Sequence, residues 1–350
     1  MRNVTYNKNF GDSFFSYQGG DKDESGSFEY RFSTELLWNP INFEDFEVEL
    51  LINSLLNRES NVYELRDNKN HTVGYVFPVS LLDSDSDFSE YRNINNYVYI
   101  AFVELLKRIP SIKEECEFFS DNFEENICVC VLHKPSINIP YPLSQCIHSL
   151  RKYGYSYFEE NNRIRPIKGY DPNLFFKNRQ KRIIVEFKEP SLYQNPMINS
   201  ILRALPKADN LTHRFVLLYQ VIETLFEEIT SKKIHDEIKK FRRNQIPCSD
   251  FQECIKRISS ERIKILEIFN CCKSLKDSDE AKQFKSSCMH LFDLIHYVPS
   301  KNEMNDIFYS FRNQMTHSFR KLYVYPEELA ETIQDFELVI LKIIETYPYK

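Results

Sequence analysis

The feature that most constrains the fold of this chain is a change in its hydrophobic pattern near residue 200. From Asp209 to the C-terminus, apolar residues recur three and four positions apart, and no segment alternates as a half-buried strand does. The pattern predicts amphipathic helices over 209–231, 250–274, 279–297, 302–322 and 326–347. Five such helices in about 140 residues are enough for one helical bundle domain.

The first 190 residues mix two hydrophobic periods. Short β-branched or aromatic runs predict strands at 27–33, 72–79, 127–133 and 182–187. Helical spacing predicts amphipathic helices at 43–57 and 95–109. We therefore predict an α+β fold, with a mixed α/β domain over 1–190 and an all-helical domain over 197–350, separated by a proline-bearing segment.

Composition and charge argue against several classes of protein. The net charge of −6 over 350 residues argues against a general nucleic-acid coat, so any RNA contact is expected to be local. The nine cysteines are scattered and never occur as C-x-x-C, which indicates reduced thiols and neither disulfides nor a zinc ribbon. There is no signal-peptide pattern and no run of about eighteen apolar residues. We expect a soluble, cytoplasmic protein with no membrane partner.

Motifs for common cofactors are missing from the sequence. Neither the phosphate-binding G-x-x-x-x-G-K-[ST] nor the dinucleotide-binding G-x-G-x-x-G pattern occurs. The alternating carboxylates of DSDSD (83–87) lack the glycine and distal glutamate of a calcium loop, and they are typical of an exposed turn. The sequence therefore predicts no metal and no cofactor.

The predicted helix over 302–322 carries a polar motif, FRNQMTHSF (311–319). On a wheel of about 100° per residue, its apolar residues gather on one side, which we expect to face the bundle core: Met304, Phe308, Phe311, Met315, Phe319 and Leu322. Arg312 falls at the border of this stripe, whereas Asn313 and His317, one turn apart, fall on nearly the opposite face. His317 is therefore not expected to be a core histidine.

This motif and its setting resemble HEPN domains, in the branch found in bacterial abortive-infection and toxin ribonucleases. Arg312, Asn313 and His317 fit the shortest form of that family's signature, on the penultimate helix of a predicted all-helical domain. The run HRFVLLYQVIETLFEEI (213–229) has a core stripe with Glu223 off it. The resemblance covers residues 197–347, and it implies that Glu223 supports the site.

The resemblance also implies an activity and an assembly. HEPN ribonucleases cleave RNA without a metal and leave a 2′,3′-cyclic phosphate and a 5′-hydroxyl. Two protomers pair through the motif surface to form one composite cleft, so a homodimer through the helical domain is implied. A toxin or antiviral effector of this type is expected to have a trigger or antitoxin partner. The N-terminal domain, residues 1–190, would either sense the trigger or recognise the substrate.

The motif residues themselves suit cleavage by the RNA 2′-hydroxyl. Such cleavage needs a base, an acid and a group that stabilises the charged phosphorane. Histidine exchanges protons near neutral pH, and arginine stays charged and forks onto phosphate oxygens. Asn313 is expected to hold either the imidazole or a phosphate oxygen. The sequence thus assigns Arg312, Asn313, His317 and, through the resemblance, Glu223 to the catalytic site.

A basic segment with interleaved aromatic residues is the candidate RNA-binding surface, since such mixtures suit single strands. Its basic residues are Arg163, Arg165, Lys168, Lys177, Arg179, Lys181 and Arg182. A solvated loop fits the same pattern equally well. A second cluster, KKFRRN (239–244), is more typical of a solvated loop than of a groove.

Two further interpretations of the motif stay open. In the first, the same face serves dimerisation and the binding of a nucleotide or partner, without catalysis. In the second, the protein is a scaffold in which Arg312 and His317 coincide by chance. Cleavage of RNA in the presence of a chelator separates the ribonuclease from both.

Overall fold

The structure is a computed structural model, and it divides into two compact units. It describes residues 4–7, 14–18, 27–31, 41–53, 62–83, 94–108, 120, 123–124, 126–158, 182–188 and 190–348. The first unit contains the described residues up to 158 together with 182–188, and the second contains 190–348.

The described residues of the first unit form two sheets and three α-helices. Three strands form a small antiparallel sheet: β1 (Val4–Asn7), β2 (Phe14–Gln18) and β3 (Ser27–Arg31). The larger sheet comprises β4 (Phe46–Asn53), β5 (Tyr63–Arg66), β6 (Thr72–Pro78), β7 (Ile127–His133), β8 (Tyr155–Tyr157) and β9 (Arg182–Ile184). Its strand order is β8-β4-β7-β6-β5-β9, with β5 and β9 parallel and the other neighbouring strands antiparallel. The helices are α1 (Ile94–Arg108), α2 (Lys134–Ile137) and α3 (Pro142–Arg151).

A helix covers each face of the larger sheet, as the alternation along β7 shows. Val129 and Val131 belong to the core cluster that contains α1. Cys128 and Cys130 point to the opposite face and belong to the cluster that contains α3. Because successive strand residues point to opposite faces, a strand between two helices is apolar throughout. The two cysteines are therefore small core side chains.

The segment 43–57 is not the helix that its spacing predicts. A short 3₁₀ turn over Phe43–Asp45 leads into β4, which pairs with β7 from Phe46 opposite His133 to Ile52 opposite Ile127. Both faces of β4 are buried, so the apolar run near Leu51 lacks the alternation that marks a half-buried strand. Pairing with a distant strand, which helical periodicity does not report, decides the structure here.

The second unit is helical over its described residues. Its helices are α4 (Pro196–Ala204), α5 (Leu211–Arg242), α6 (Cys248–Ile258), α7 (Glu261–Cys271), α8 (Asp279–Leu294), α9 (Met304–His317), α10 (Phe319–Leu322) and α11 (Pro326–Thr346). Pro326 occupies the first turn of α11, followed by Glu327 and Glu328 at the positive end of the helix. A strand-containing region followed by this helical region confirms the α+β fold class.

Three helix boundaries differ from the predicted ones. The helix predicted over 250–274 is two helices, α6 and α7, which meet at Ser259 and Ser260. The helix predicted over 302–322 ends at His317 and resumes as the short α10, because Ser318 leaves the helical conformation with φ −131°. The first predicted helix continues to Arg242, well beyond residue 231.

Phenylalanine side chains fill the core of the helical unit. Phe336 of α11 lies 5.1–5.7 Å, between ring centroids, from Phe215, Phe284, Phe308 and Phe311 of three other helices. The four ring pairs are tilted, and aromatic contacts at this spacing add to the stabilisation from apolar burial. The cluster fixes which side of α9 faces inward and hence which side carries the motif.

No helix within the part of the chain that the structure describes is long and apolar enough to cross a membrane.

Candidate active site

The motif residues lie on the outer side of α9. Phe308 and Phe311 of the predicted core stripe are fully buried, and Met304 and Met315 are nearly so. Phe319 of that stripe is only half-buried, because it follows the break at Ser318. The stripe is thus confirmed up to the end of α9.

Arg312 is held in one position by three contacts. Its Nε lies 2.8 Å from Oε1 of Glu261, and its Nη1 donates a hydrogen bond of 3.1 Å to Oδ1 of Asn313. Its guanidinium carbon lies 5.7 Å from the ring centroid of Tyr219, a cation–π distance. The side chain of Arg312 is 22% exposed, so this positioned charge still reaches solvent.

Tyr219 and Glu261 join two more helices to the site. The hydroxyl of Tyr219 on α5 donates to the same Oε1 of Glu261 that Arg312 contacts. Burial and the Glu261 carboxylate raise the pKa of Tyr219, so the phenol stays protonated and remains a donor. Glu261 is the first residue of α7, where the helix dipole favours a carboxylate. One oxygen therefore ties α5, α7 and α9 together.

A second ion pair lies next to the first along α7 and α9. Nε of Arg262 donates a hydrogen bond of 2.7 Å to Oδ1 of the buried Asp306, near the start of α9. Successive residues of α7, Glu261 and Arg262, thus bind α9 two turns apart, at Arg312 and at Asp306. This double attachment limits rotation and sliding of α9 against α7.

Glu223 lies outside this network. It is exposed on α5, one turn after Tyr219, and it makes no hydrogen bond or ion pair with any residue that the structure describes. The carboxylate that orients Arg312 belongs to Glu261. No local signal in the sequence marks Glu261, because it stands 51 positions before Arg312 (312 minus 261) and belongs to no motif. Tyr219 has a weak signal in the sequence, since it lies one turn from the predicted site residue Glu223 on the same helix.

His317 is the last residue of α9 and is exposed, in agreement with the predicted face. Its side chain makes no hydrogen bond or ion pair within the described part of the protein. Asn313 lies one turn before it, and Arg312 lies about 7.5 Å before it along the helix axis, at 1.5 Å per residue. The exposed imidazole and the anchored guanidinium thus share one end of α9.

Most of the predicted RNA-binding segment lies outside the described residues. This is the case for Arg163, Arg165, Lys168, Lys177, Arg179 and Lys181. Arg182 is described, and it begins β9 at the edge of the larger sheet. Its Nε lies 3.3 Å from a carboxylate oxygen of Glu64, so part of its charge is already compensated.

The histidines, cysteines and carboxylates of the described residues do not form a cluster that could hold a metal ion. Burial raises the pKa of the Cys272 thiol to about 11 and that of the Cys128 thiol to about 12. Such buried, protonated thiols are poor metal ligands and poor nucleophiles.

Comparison with known proteins adds no relative to this picture. No protein-family model, no curated protein and no solved structure matches the chain.

Proposed function

We propose that the protein is a metal-independent endoribonuclease of HEPN type that uses the RNA 2′-hydroxyl as nucleophile. The observation that carries the proposal is the geometry of Arg312. The Glu261 carboxylate and the Asn313 amide orient its guanidinium at the same helix end as the exposed His317. A positioned cation and an imidazole carried by the same helix supply the charge stabiliser and the acid–base group that this chemistry requires.

Each residue has a separate role in the proposed reaction. His317 takes the proton from the 2′-hydroxyl or returns one to the leaving 5′-oxygen. Arg312 stabilises the negative charge that grows on the phosphate oxygens, through the part of its guanidinium that still reaches solvent. Glu261 and Asn313 act through Arg312 by holding its plane. Removing one preorganised charge-stabilising donor typically costs a factor of about 10² to 10³ in rate.

The proposed protein is a homodimer that pairs through the motif surface. In a single copy His317 is open to water, where charge stabilisation is weak. Tyr323 and Val324, a few residues after His317 in the chain, are 67% and 68% exposed, so their apolar surfaces are available for contact with a second copy. A second copy on this face would cover them and would shield both motifs from bulk water.

We infer a bacterial toxin or antiviral defence effector that acts on RNA in the cytoplasm. This role follows from the resemblance to HEPN toxin ribonucleases. Eight described cysteines are free thiols, as suits a reducing compartment. A trigger or antitoxin partner acting through the first unit completes the proposal.

One observation favours a second candidate, a non-catalytic module for dimerisation and for binding a nucleotide or partner. The Arg312 guanidinium already has a carboxylate partner in Glu261, and Tyr219 covers part of it. Arginines in structural ion pairs have the same surroundings, and the pair would then serve only to join α7 to α9.

Analysis of the products distinguishes the two candidates. Purified protein is incubated with an end-labelled RNA in excess chelator, beside the same sequence as DNA. The ribonuclease predicts RNA fragments ending in a 2′,3′-cyclic phosphate and intact DNA, because DNA lacks the 2′-hydroxyl. Arg312→Ala should lose this cleavage. Intact RNA in every sample, from protein of confirmed fold, would favour the binding module.

Mixing of chains tests the shared site separately. An excess of His317→Ala chains should lower the activity per wild-type chain, since mixed dimers hold only one complete motif. Unchanged activity per wild-type chain, or a strictly monomeric active protein in light scattering, would rule out the composite cleft.

A further inference from the structure

The long helix α5 continues well beyond the core of the helical unit. Its last buried residue is Ile229, yet the helix runs on to Arg242. The chain then turns at Asn244, which has a φ of +54°, and returns as α6. None of the residues from 231 to 257 is buried. We call this helical hairpin, residues 231–257, the arm.

An aromatic pair holds the tip of the arm together. The rings of Phe241 on α5 and Phe251 on α6 stack at 5.0 Å with an interplanar angle of 25°. Ile234 and Ile238, on the same side of α5 as Phe241, are half-buried, whereas every residue from Lys239 to Gln245 is exposed. The apolar side of α5 thus faces α6, and its polar side faces solvent.

The exposed side of the tip is strongly basic. Lys239, Arg242 and Arg243 are exposed, and their side chains form no hydrogen bond or ion pair with any described residue. Lys240 is paired with Glu237 at 2.6 Å. In a chain of net charge −6, three neighbouring uncompensated cations are a local reversal of sign. A surface of this kind attracts polyanions.

A partly exposed aromatic ring next to the basic residues indicates which kind of polyanion this surface would bind. Phe241 stands between Lys240 and Arg242 in the sequence, and although it lies on the side of α5 that faces α6 and stacks on Phe251, it is 38% exposed. Basic residues at a helix C-terminus are often explained by the helix dipole, but the dipole gives no reason to expose a phenylalanine. Cations that meet phosphates, beside a ring that accepts a base, are typical of single-strand binding.

We propose that the tip of the arm is a binding site for single-stranded RNA. Lys239, Arg242 and Arg243 contact successive phosphates, and Phe241 stacks on an unpaired base. The proposal rests on the proposed function, for which it supplies a substrate-holding surface. The structure also corrects the interpretation of KKFRRN (239–244) as a loop, because Lys239 to Arg242 belong to α5 and are held by the aromatic stack.

Salt dependence of binding is the quantitative test. The full chain with His317→Ala, which prevents cleavage, is titrated with a labelled single-stranded RNA over a range of salt concentrations. Three phosphate contacts contribute a slope of about −2 to log K against log salt, at about −0.7 for each contact on a single strand. Changing Lys239, Arg242 and Arg243 together to glutamine should weaken binding at least tenfold at low salt and remove that part of the slope.

Matched variants keep the test specific. The control variant changes three exposed lysines outside the arm to glutamine: Lys273, Lys276 and Lys301. It removes the same amount of charge and should leave the affinity for RNA nearly unchanged. Phe241→Leu should weaken binding without changing the slope, because a stacking contact displaces no counterions. Thermal unfolding of all variants should match the parent chain.

Three results would overturn the inference. Equal weakening by the two glutamine triples would mean that net charge alone matters. Equal affinity for duplex RNA would mean that no single strand is recognised. If the variant with glutamine at Lys239, Arg242 and Arg243 unfolds at a lower temperature yet binds RNA normally, these cations serve only the helix dipole.

Cleavage is measured separately on wild-type chains. RNA binding at the arm without cleavage would refute the proposed function. Cleavage by a protein whose RNA binding does not depend on the arm would refute only this inference.

Discussion

Replacing Phe311 with alanine tests the orientation of α9, on which the placement of the motif depends. Phe311 is fully buried, and its ring centroid lies 5.5–5.7 Å from those of Phe215, Phe284 and Phe336. Deleting a buried phenylalanine side chain costs about 3–5 kcal/mol through lost burial and the cavity that remains. In a domain of about 150 residues each kcal/mol lowers Tm by about 2–4 °C, so we expect a fall of about 6–20 °C.

The matched control is His317→Ala, on the same helix but exposed. It should change the free energy of unfolding by no more than about 0.5 kcal/mol, because it removes no buried contact. Urea and thermal unfolding, followed by far-UV circular dichroism, measure both variants. The reasoning would be refuted by a Phe311→Ala variant with wild-type Tm, or by a His317→Ala variant destabilised to the same extent.

Three more predictions follow from other contacts. Glu261→Gln should lower kcat/KM about tenfold, since the charge that orients Arg312 is lost at a cost of about 1.4 kcal/mol. Glu267→Gln, which breaks the similarly half-buried pair between α7 and Lys233 of α5, should leave kcat/KM unchanged. Gly74→Ala should destabilise the first unit by about 1–3 kcal/mol or more in urea unfolding, because the added methyl group would collide with the backbone oxygen of Val131. Pulsed alkylation with peptide mass spectrometry should label the exposed thiols of Cys248 and Cys271 in the folded protein. Five buried thiols should be labelled only after unfolding: Cys128, Cys130, Cys146, Cys272 and Cys288. Modification of any of these five in the folded protein would contradict its burial.

Local periodicity was sufficient for the parts of the fold that depend on one buried face. The strand at 127–133, the helix at 95–109 and the core stripe around Phe308 and Phe311 appear where the sequence predicts them. It failed at 43–57, where FEVEL (46–50) alternates but the apolar run at 50–52 does not, and where pairing with distant residues fixes the strand. It also missed the division at Ser259, since helical spacing continues across the turn.

The sequence predicted the part of the candidate site that lies on one helix, but not the residues that other helices contribute. The outward position of His317 follows from one helix and its spacing. The partners of Arg312 come from two other helices, so the sequence offers no local signal for Glu261 and only a weak one for Tyr219. Side chains that assemble a site across helices are defined by tertiary packing, which a periodic pattern in one helix does not encode.

The most direct test of the account compares two exposed histidines of the helical unit. Labelled RNA is incubated in excess chelator with three proteins: wild type, His317→Ala and His290→Ala. Unfolding curves recorded beforehand confirm that both variants are as stable as wild type. We expect cleavage by wild type and by His290→Ala, and a loss of at least about 10² in rate for His317→Ala, because a general acid–base group contributes a factor of about 10² to 10⁴. Cleavage by His317→Ala at the wild-type rate, or cleavage that requires a metal ion, would contradict the account.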